Sequence, residues 1–487
     1  MIRVLLILPP INTSLPTKGS FPLGVGYISK VLLDIGCSVD ILDININQYT
    51  QNEVIRKIKE LRKSYDLIGV SGMVTVYAYI KWLTYVIKEY ASKIPLVVGG
   101  SVASSMPELL LKNTMADIAC IGEGEETIKQ LVTAVCKKQN FELVKGISFK
   151  RGEKIIKTPH RKLIQNLDTI PFPAWDLFQM KDYLKHPYIV NCPTKSMNLI
   201  ADRGCPYRCT FCYRNFGRSV RYRSVDNLID EIKTLNDRYN VKHFEFQDEL
   251  FTLNDKRVIE FCKKVLKEKI EITWRCLGRA NLAKLDVLKL MKEAGCHWIG
   301  YGIESGSQRM LDSMNKKLKV NEAKEAIRLT RKAGINVSAT FMFGMPGETR
   351  ESMRETVEFC KEMEIFNVPF FTVPYPGTLL YEQLKSKNLI EDEEKFILKM
   401  GKDATNLLIN MTAIPDEELI KLKKTAEDEI RFYIKNKKEL WKFHRKVRFI
   451  LKNFISAYRY WGIRGFFSFL IQALVNTVKR GKFRNEI

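Results

Sequence analysis

Cys205, Cys209 and Cys212 stand close together in the run Arg203-Gly204-Cys205-Pro206-Tyr207-Arg208-Cys209-Thr210-Phe211-Cys212-Tyr213. Thiolates are soft ligands suited to iron–sulfur clusters. The spacing C-x-x-x-C-x-x-C lets one loop wrap three corners of a cubane. The fourth iron then has no ligand from this loop and is open to a substrate or cofactor. A zinc site more often shows paired C-x-x-C knuckles with four ligands. The plainer alternative is three inert, buried cysteines. Their crowding in a Gly- and Pro-marked loop, directly after the apolar run Met197–Ala201, argues against it.

Other chemistry-bearing residues lie at the ends of apolar runs. Asp248 and Glu249 follow Phe244-Glu245-Phe246-Gln247, and Arg279 closes Trp274-Arg275-Cys276-Leu277-Gly278-Arg279. Glu304 and Ser305 fall in Tyr301-Gly302-Ile303-Glu304-Ser305-Gly306-Ser307. Gly344, Pro346 and Gly347 fall in Phe341-Met342-Phe343-Gly344-Met345-Pro346-Gly347-Glu348-Thr349. Taken singly, such acids are ordinary helix caps, such an arginine is a surface residue, and such glycines make turns. Nearer the start, Ser71 follows Val70, Gly99 and Gly100 follow Val97-Val98, and Gly122-Glu123-Gly124-Glu125 follows Ile118–Ile121. Glycines at strand ends let the backbone approach a flat or anionic ligand, though they also serve as plain turns.

Two stretches of alternating strand and helix patterns must position these groups. In residues 1–140 strands are expected at Val4–Leu8, Val39–Leu42, Leu67–Ser71, Leu96–Val98 and Ile118–Ile121, with helical patterns between them. That rhythm predicts an α/β, doubly wound parallel sheet, its ligand beyond the carboxyl ends of the strands. Residues 141–194 lose the rhythm, and the proline-marked run Leu167–Trp175 reads as a crossing between domains. From 195 to 381 the alternation returns, with strands expected at Met197–Ala201, His243–Gln247, Glu271–Arg275, Trp298–Ile303, Asn336–Phe343 and Phe370–Val373. A second parallel domain, curved into a partial barrel, suits this. Residues 382–487 read as a basic α-helical C-terminal region.

The net charge is +24, and residues 431–487 carry more than half of the excess. Aromatics from Trp441 to Phe469 interleave with Lys and Arg there. This composition fits a helix lying in a membrane interface, and equally a basic cap packed on the barrel. No segment resembles a nucleic-acid module, so nucleic acid is the weaker reading of the charge. Eleven irregularly spaced cysteines and no visible signal peptide point to a reducing cytoplasm, with a peripheral position at the inner membrane face open to the tail. Cys192, Cys262, Cys276, Cys296 and Cys360 read as structural, Cys276 being the one to watch because it sits at a barrel strand end.

The cysteine loop, with the aromatic Phe211 before its third cysteine, resembles the cluster motif of the radical S-adenosylmethionine (radical SAM) superfamily. The downstream runs match that family's strand-end motifs in order. The resemblance implies a partial (β/α)6 barrel and a 4Fe–4S cluster on Cys205, Cys209 and Cys212. The free iron would chelate S-adenosylmethionine, whose reductive cleavage gives a 5′-deoxyadenosyl radical. It further implies that Asp248 and Glu249 meet the methionine amino end and that Arg279 holds the carboxylate. Glu304, assisted by Ser305, would bond the ribose, and Gly344, Pro346 and Gly347 would lie near the adenine. The first domain resembles the cobalamin-binding domain of one large subgroup. Ser71, Gly99, Gly100, Gly122 and Glu123 would then embrace the lower nucleotide tail of cobalamin. One departure is that Pro9-Pro10-Ile11-Asn12-Thr13-Ser14-Leu15-Pro16 lacks the D-x-H-x-x-G pattern, so no His from this loop would ligate cobalt.

The implied activity is methylation of an unreactive carbon, on a small-molecule or lipid substrate, with a flavodoxin or ferredoxin as reductant. One S-adenosylmethionine would methylate cobalt and a second would supply the radical. The same scaffold could instead run a cyclisation, rearrangement or C–C coupling. A non-catalytic iron–sulfur or membrane-binding protein is the rival from another class.

Overall fold

The computed structural model describes residues 1–11, 21–61, 65–185, 195–367, 369–400 and 406–437. The basic aromatic segment 438–487, with its expected membrane contact, lies outside the described residues, as do Cys192 and Asn12–Pro16. Among the described residues no helix is long and apolar enough to cross a membrane.

The first sheet holds β1 (Arg3–Leu8), β2 (Ser38–Asp43), β3 (Leu67–Ser71), β4 (Leu96–Gly99), β5 (Ile118–Cys120), β6 (Ile147–Arg151) and β7 (Lys154–Lys157). Its order is β2-β1-β3-β4-β5-β6-β7. The first five strands are parallel. Val4 to Leu8 are all buried, because helices cover both faces and a strand so placed needs an unbroken apolar run. Helices Leu23–Asp34 and Glu125–Cys136 pack on one face, and Gln51–Leu61 and Tyr77–Tyr90 on the other. The segment expected to be a linker contributes to this sheet. β6 pairs antiparallel with β5, and β7 with β6, through a turn in which Gly152 adopts φ +58.

The second sheet is β15 (Phe370–Phe371), β14 (Asn336–Phe343), β13 (Cys296–Glu304), β12 (Thr273–Gly278), β11 (His243–Phe246) and β8 (Ser196–Leu199), in that order and parallel throughout. It curls into the partial barrel, with helices such as Val225–Tyr239 and Arg350–Glu362 outside. Local chemistry sets their starts. Ser224 accepts from the Asn227 N–H, and Thr349 and Ser352 form a reciprocal cap. A short antiparallel ladder, β9 (Asp202–Arg203) with β10 (Arg221–Tyr222), closes the base of the cysteine loop.

After β15 the chain turns back to the first domain. Tyr381, Leu384, Phe396 and Ile397 join the core that holds Tyr77, Ile80 and Leu83. The Tyr77 hydroxyl donates to Glu394 at 2.8 Å, and Lys81 pairs with the same carboxylate at 2.6 Å. Residues 416–437 form a helix whose Leu419 and Ile430 pack on the barrel core.

Candidate functional site

The cysteine loop leaves β8 at the carboxyl end of the barrel and is held on every side. Ala201 and Asp202 donate their backbone N–H groups to Asp248 Oδ1 at 2.6 and 2.7 Å. Gly204 sits at φ +100, and a Cβ there would lie 2.3 Å from the Ser219 carbonyl, so only glycine fits. Cys205 N–H donates to Gly217 O, Thr210 N–H to Met314 O, and Leu380 N–H to Thr210 O. Asn315 Nδ2 holds the Arg208 carbonyl at 2.9 Å, and Arg214 holds that of Tyr207 at 2.6 Å.

Within this frame Cys209 is buried, Cys205 is half-buried and Cys212 lies at the surface. Among the described residues no three His, Cys, Asp or Glu side chains converge on the point a single metal ion would occupy. Thiolates bound to separate irons of a cluster do not share one point, so three spaced cysteines on a braced loop suit a cluster better than a lone ion. Burial, then the nearby Glu249 charge, pushes the Cys205 thiol up. Metal coordination would reverse this and release its proton.

The acids and bases around the loop divide into bracing and free groups. Asp248 is buried with its Oδ1 committed to the loop backbone, and burial pushes its carboxyl up to about 6. One Asp248 oxygen thus braces the loop, while its Oδ2 has no hydrogen-bond partner. Glu249 Oε2 has no partner, and burial lifts this carboxyl to about 7 despite Arg214 and Arg221. Arg279 is also a brace. It donates to the Lys316 and Lys317 carbonyls and to Asn281, and its guanidinium stacks 3.4 Å from the centroid of Tyr207. A second cation beside the loop, Lys316, was missed by sequence reasoning. It lies buried, 3.2 Å from Glu304 Oε1 and 5.7 Å from the Phe211 ring.

Glu304 ends β13 at a register shift, with φ +78, a conformation most residues avoid. It folds back over Gly302, where a Cβ would meet Glu304 Oε1 at 2.5 Å. The Thr340 hydroxyl donates to its Oε2 at 3.4 Å. Ser305 faces the other way, its hydroxyl bonded to Thr356 and to the Ser307 N–H. Gly344 and Gly347 both adopt positive φ, and Glu348 folds back to accept the Gly344 N–H at 2.5 Å. Arg309 holds the Gly347 carbonyl next to Pro346. Cys276 belongs to the barrel wall beside Cys296, where burial pushes its thiol well up, so it is structural.

Ser71, Gly99, Gly100, Gly122 and Glu123 line one cavity of about 280 Å³ at the carboxyl ends of the first sheet. Its far wall is Ile200, Arg203, Asn215 and Phe216, on or beside the cysteine loop. Gly122 has φ +77 and open space where a Cβ would stand. The lining is mostly apolar, and the volume is at the small end of ligand pockets, which run from about 300 Å³. It suits the nucleotide tail of cobalamin better than the whole cofactor.

Glu123 lines this cavity, but its carboxylate is bound to the barrel. Arg221 Nη1 reaches both oxygens at 2.7 and 2.9 Å, Arg203 approaches to 3.2 Å, and the Ile164 N–H donates at 2.7 Å. Arg203 also meets Glu125 at 2.6 Å. Burial alone would lower the Arg203 pKa, and the two carboxylates more than reverse it. All four side chains are nearly inaccessible, and their charges balance. This clamp spans long sequence separations and leaves no local pattern. The one signal for it was Arg203 beside the cysteine loop and the paired acids after β5.

Comparison with known proteins adds to this geometry. Residues 199–360 match the radical SAM superfamily, and residues 18–132 match the B12 binding domain. An uncharacterized methyltransferase of Pyrococcus horikoshii is 31% identical over 480 residues, covering 94% of this chain and 100% of that protein. The anaerobic magnesium-protoporphyrin IX monomethyl ester cyclase of Cereibacter sphaeroides is 30% identical over 77% of this chain and 62% of its own length. The solved structure of the cobalamin-dependent S-adenosylmethionine radical enzyme OxsB shares the fold. Its TM-score is 0.65 at 21% identity, over 88% of this chain and 62% of that one.

Proposed function

The chain belongs to the radical SAM superfamily, in the group whose radical domain follows a B12-binding domain, and on that premise we propose that it methylates an unactivated carbon. Cys205, Cys209 and Cys212 would hold a 4Fe–4S cluster, and the cavity at the first sheet would take the cobalamin tail. When bound, the cluster supplies the electron that cleaves S-adenosylmethionine, and cobalamin carries the methyl group.

The chain's own residues do the rest. Asp248, Arg279 and the ladder β9–β10 keep the cysteine loop in one conformation. Glu249, with its unpartnered oxygen, would accept from the methionine ammonium, and Lys316 would meet the carboxylate. Glu304, raised into the lumen by its left-handed backbone, would accept from ribose hydroxyls. Gly344 to Gly347 would pass the adenine at backbone distance, and Ser305 would fix the loop that presents Glu304. Gly99, Gly100 and Gly122 leave the first cavity open to the tail, beside Ser71 and Glu123.

The observation that carries this reading is that one cavity is walled both by the glycine-tipped strands of the first sheet and by the cysteine loop of the barrel. A carrier seated there would lie next to the cluster. Methylation is preferred over cyclisation or coupling because the relative covered end to end is described as a methyltransferase. The test is anaerobic reduction with methyl-labelled S-adenosylmethionine. Wild-type protein should release 5′-deoxyadenosine and label an acceptor, and Cys209→Ala should do neither. Product without label would move the reading to a rearrangement or coupling, and absence of 5′-deoxyadenosine would remove it.

A further inference from the structure

The arginines in and around the cysteine loop fall into two sets. Arg203 and Arg221 are buried and neutralised by Glu123 and Glu125. Arg208 and Arg218 are exposed and Arg214 is half-buried, and none of these three forms an ion pair among the described residues. The fold gathers them. Arg214 Nη1 donates to the Tyr207 carbonyl at 2.6 Å, and the Cys205 N–H donates to Gly217 O at 3.2 Å, so the outgoing and returning halves of the loop lie side by side. Arg208, then Arg214, push the Arg218 guanidinium down, as like charges do at short range, and no carboxylate offsets them there. Lys317, exposed beside the Arg279 that stacks on Tyr207, adds a further cation.

Exposed arginines elsewhere are matched by acids, Arg238 by Asp176, Arg350 by Glu418 and Arg354 by Glu429. Here the charge stays unmatched, on a loop whose backbone is braced. Arg208 adjoins Cys209, one peptide or about 3.8 Å away between Cα atoms, and Arg214 follows Cys212 closely. Behind the loop, Leu163 comes within 3.2 Å of where a Cβ of Gly217 would stand. Residues next to Leu163 line an open depression of about 480 Å³ that includes the exposed Lys145 and Lys162. Exposed ion pairs are worth only about 0–1 kcal/mol each, too little to hold a small anion. Spread charge acts instead on a large partner of opposite sign, by steering its approach and fixing its orientation.

We propose that Arg208, Arg214 and Arg218, with Lys317 at their margin, form the docking surface for an acidic electron-carrier protein that delivers its electron through the cysteine loop. The carrier loses one electron and the bound cluster gains it, and no bond forms or breaks. A nucleic acid or an anionic membrane would meet the same charges, but neither supplies an electron, and the patch sits on the loop that has to receive one. The proposal rests on the cluster reading of Cys205, Cys209 and Cys212 and adds to it the place where the reductant sits.

The test uses the full-length protein, prepared anaerobically with its cofactors, and a bacterial flavodoxin as the acidic probe. Binding of oxidised flavodoxin is followed by calorimetric titration at low and at high ionic strength. Wild type should bind it, and about tenfold or more weaker at high ionic strength. The double variant Arg208→Glu/Arg218→Glu should lose about tenfold or more at low ionic strength. Lys263→Glu/Lys267→Glu, on the outer helix Asp255–Lys267, makes the same change of net charge and should stay within about twofold of wild type. With dithionite in place of flavodoxin, the arginine variant should form 5′-deoxyadenosine as wild type does, which shows that loop and cluster are intact. If charge reversal disturbs the loop, seen as lost iron, Arg208→Gln/Arg218→Gln decides instead, with an expected loss of about threefold or more. No binding by wild type, unchanged affinity in the arginine variants, or an equal loss in the lysine variant overturns the docking surface. So does an arginine variant that loses phosphatidylglycerol vesicles or an oligonucleotide while keeping flavodoxin. Flavodoxin binding that depends on the arginines, without 5′-deoxyadenosine from dithionite-reduced wild type, sinks the enzyme reading alone.

Discussion

Replacing Glu123 by Ala should loosen the joint between the two domains by a predictable amount. The carboxylate takes two contacts from Arg221, one from Arg203 and one from the Ile164 N–H, and its side chain is 3% exposed. Without it Arg221 keeps only the carbonyls of Ile164, Phe216 and Ser219, and its charge is stranded in a dry site. Removing one partner of such a buried pair costs about 3–5 kcal/mol. Glu123→Gln keeps an acceptor for the Ile164 N–H and should cost about half of that. The chain is multidomain, so a single unfolding free energy is ill-defined, and a local measure is better. Hydrogen exchange suits it. The bonds from Arg223 N–H to Ala201 O and from Cys205 N–H to Gly217 O do not involve Glu123, yet they open if the ladder β9–β10 comes free. Their exchange should accelerate by about a hundredfold to a few thousandfold in Glu123→Ala. Adding Arg221→Met should recover much of the loss, since the stranded charge is gone. Acceleration below tenfold, or a double variant as fast as the single one, would refute the clamp as the element joining the domains.

Gly100→Ala should destabilise the first domain by about 1–3 kcal/mol and reduce cobalamin retention, since φ is +84 and the new Cβ would lie 2.5 Å from Gly72 O. Thermal midpoint and the absorbance of retained cobalamin would check this. Lys316→Met should weaken S-adenosylmethionine binding at least tenfold, because it removes the cation beside Glu304 and leaves that acid buried with the Thr340 hydroxyl alone. Isothermal titration would show it, and unchanged affinity would remove Lys316 from the site. Burial, then His297 and Arg275, pushes His243 down to about 4. The unfolded chain, with a histidine pKa near 6.5, therefore binds the proton more readily. The resulting stability is complete above about pH 6.5 and is lost as pH falls toward 4, at most about 3 kcal/mol. Urea midpoints of wild type and His243→Gln should converge over that window, and parallel lines would refute it.

The strands were legible because a parallel strand covered on both faces must be apolar along its whole length. Val4–Leu8 and Leu96–Val98 stood out for that reason. The hairpin at Ile147–Lys157 was not legible. It is an edge element, partly exposed, and its composition resembles a loop. The cysteine loop was plain because its ligands are local. The division of labour around it was not. How many polar atoms of Asp248, Glu249, Arg279 and Lys316 are already taken depends on their bonds to the loop backbone and to Glu304. Those bonds join residues far apart in the chain. Glu123 shows the same limit, since its position at a strand end was apparent and its arginine partners were not.

The return of the chain after β15 has a cost during synthesis. Tyr77 and its partner Glu394 are separated by 317 residues. At about 5–20 residues per second, a ribosome takes about 15–60 s to deliver the second after the first. Through that interval the helix Tyr77–Tyr90 waits with its outer apolar flank unsealed, while the whole barrel is still being made. A nascent chain with such a sticky surface is a natural client for a holding chaperone, and any stop before residue 400 would strand the amino-terminal half in that state.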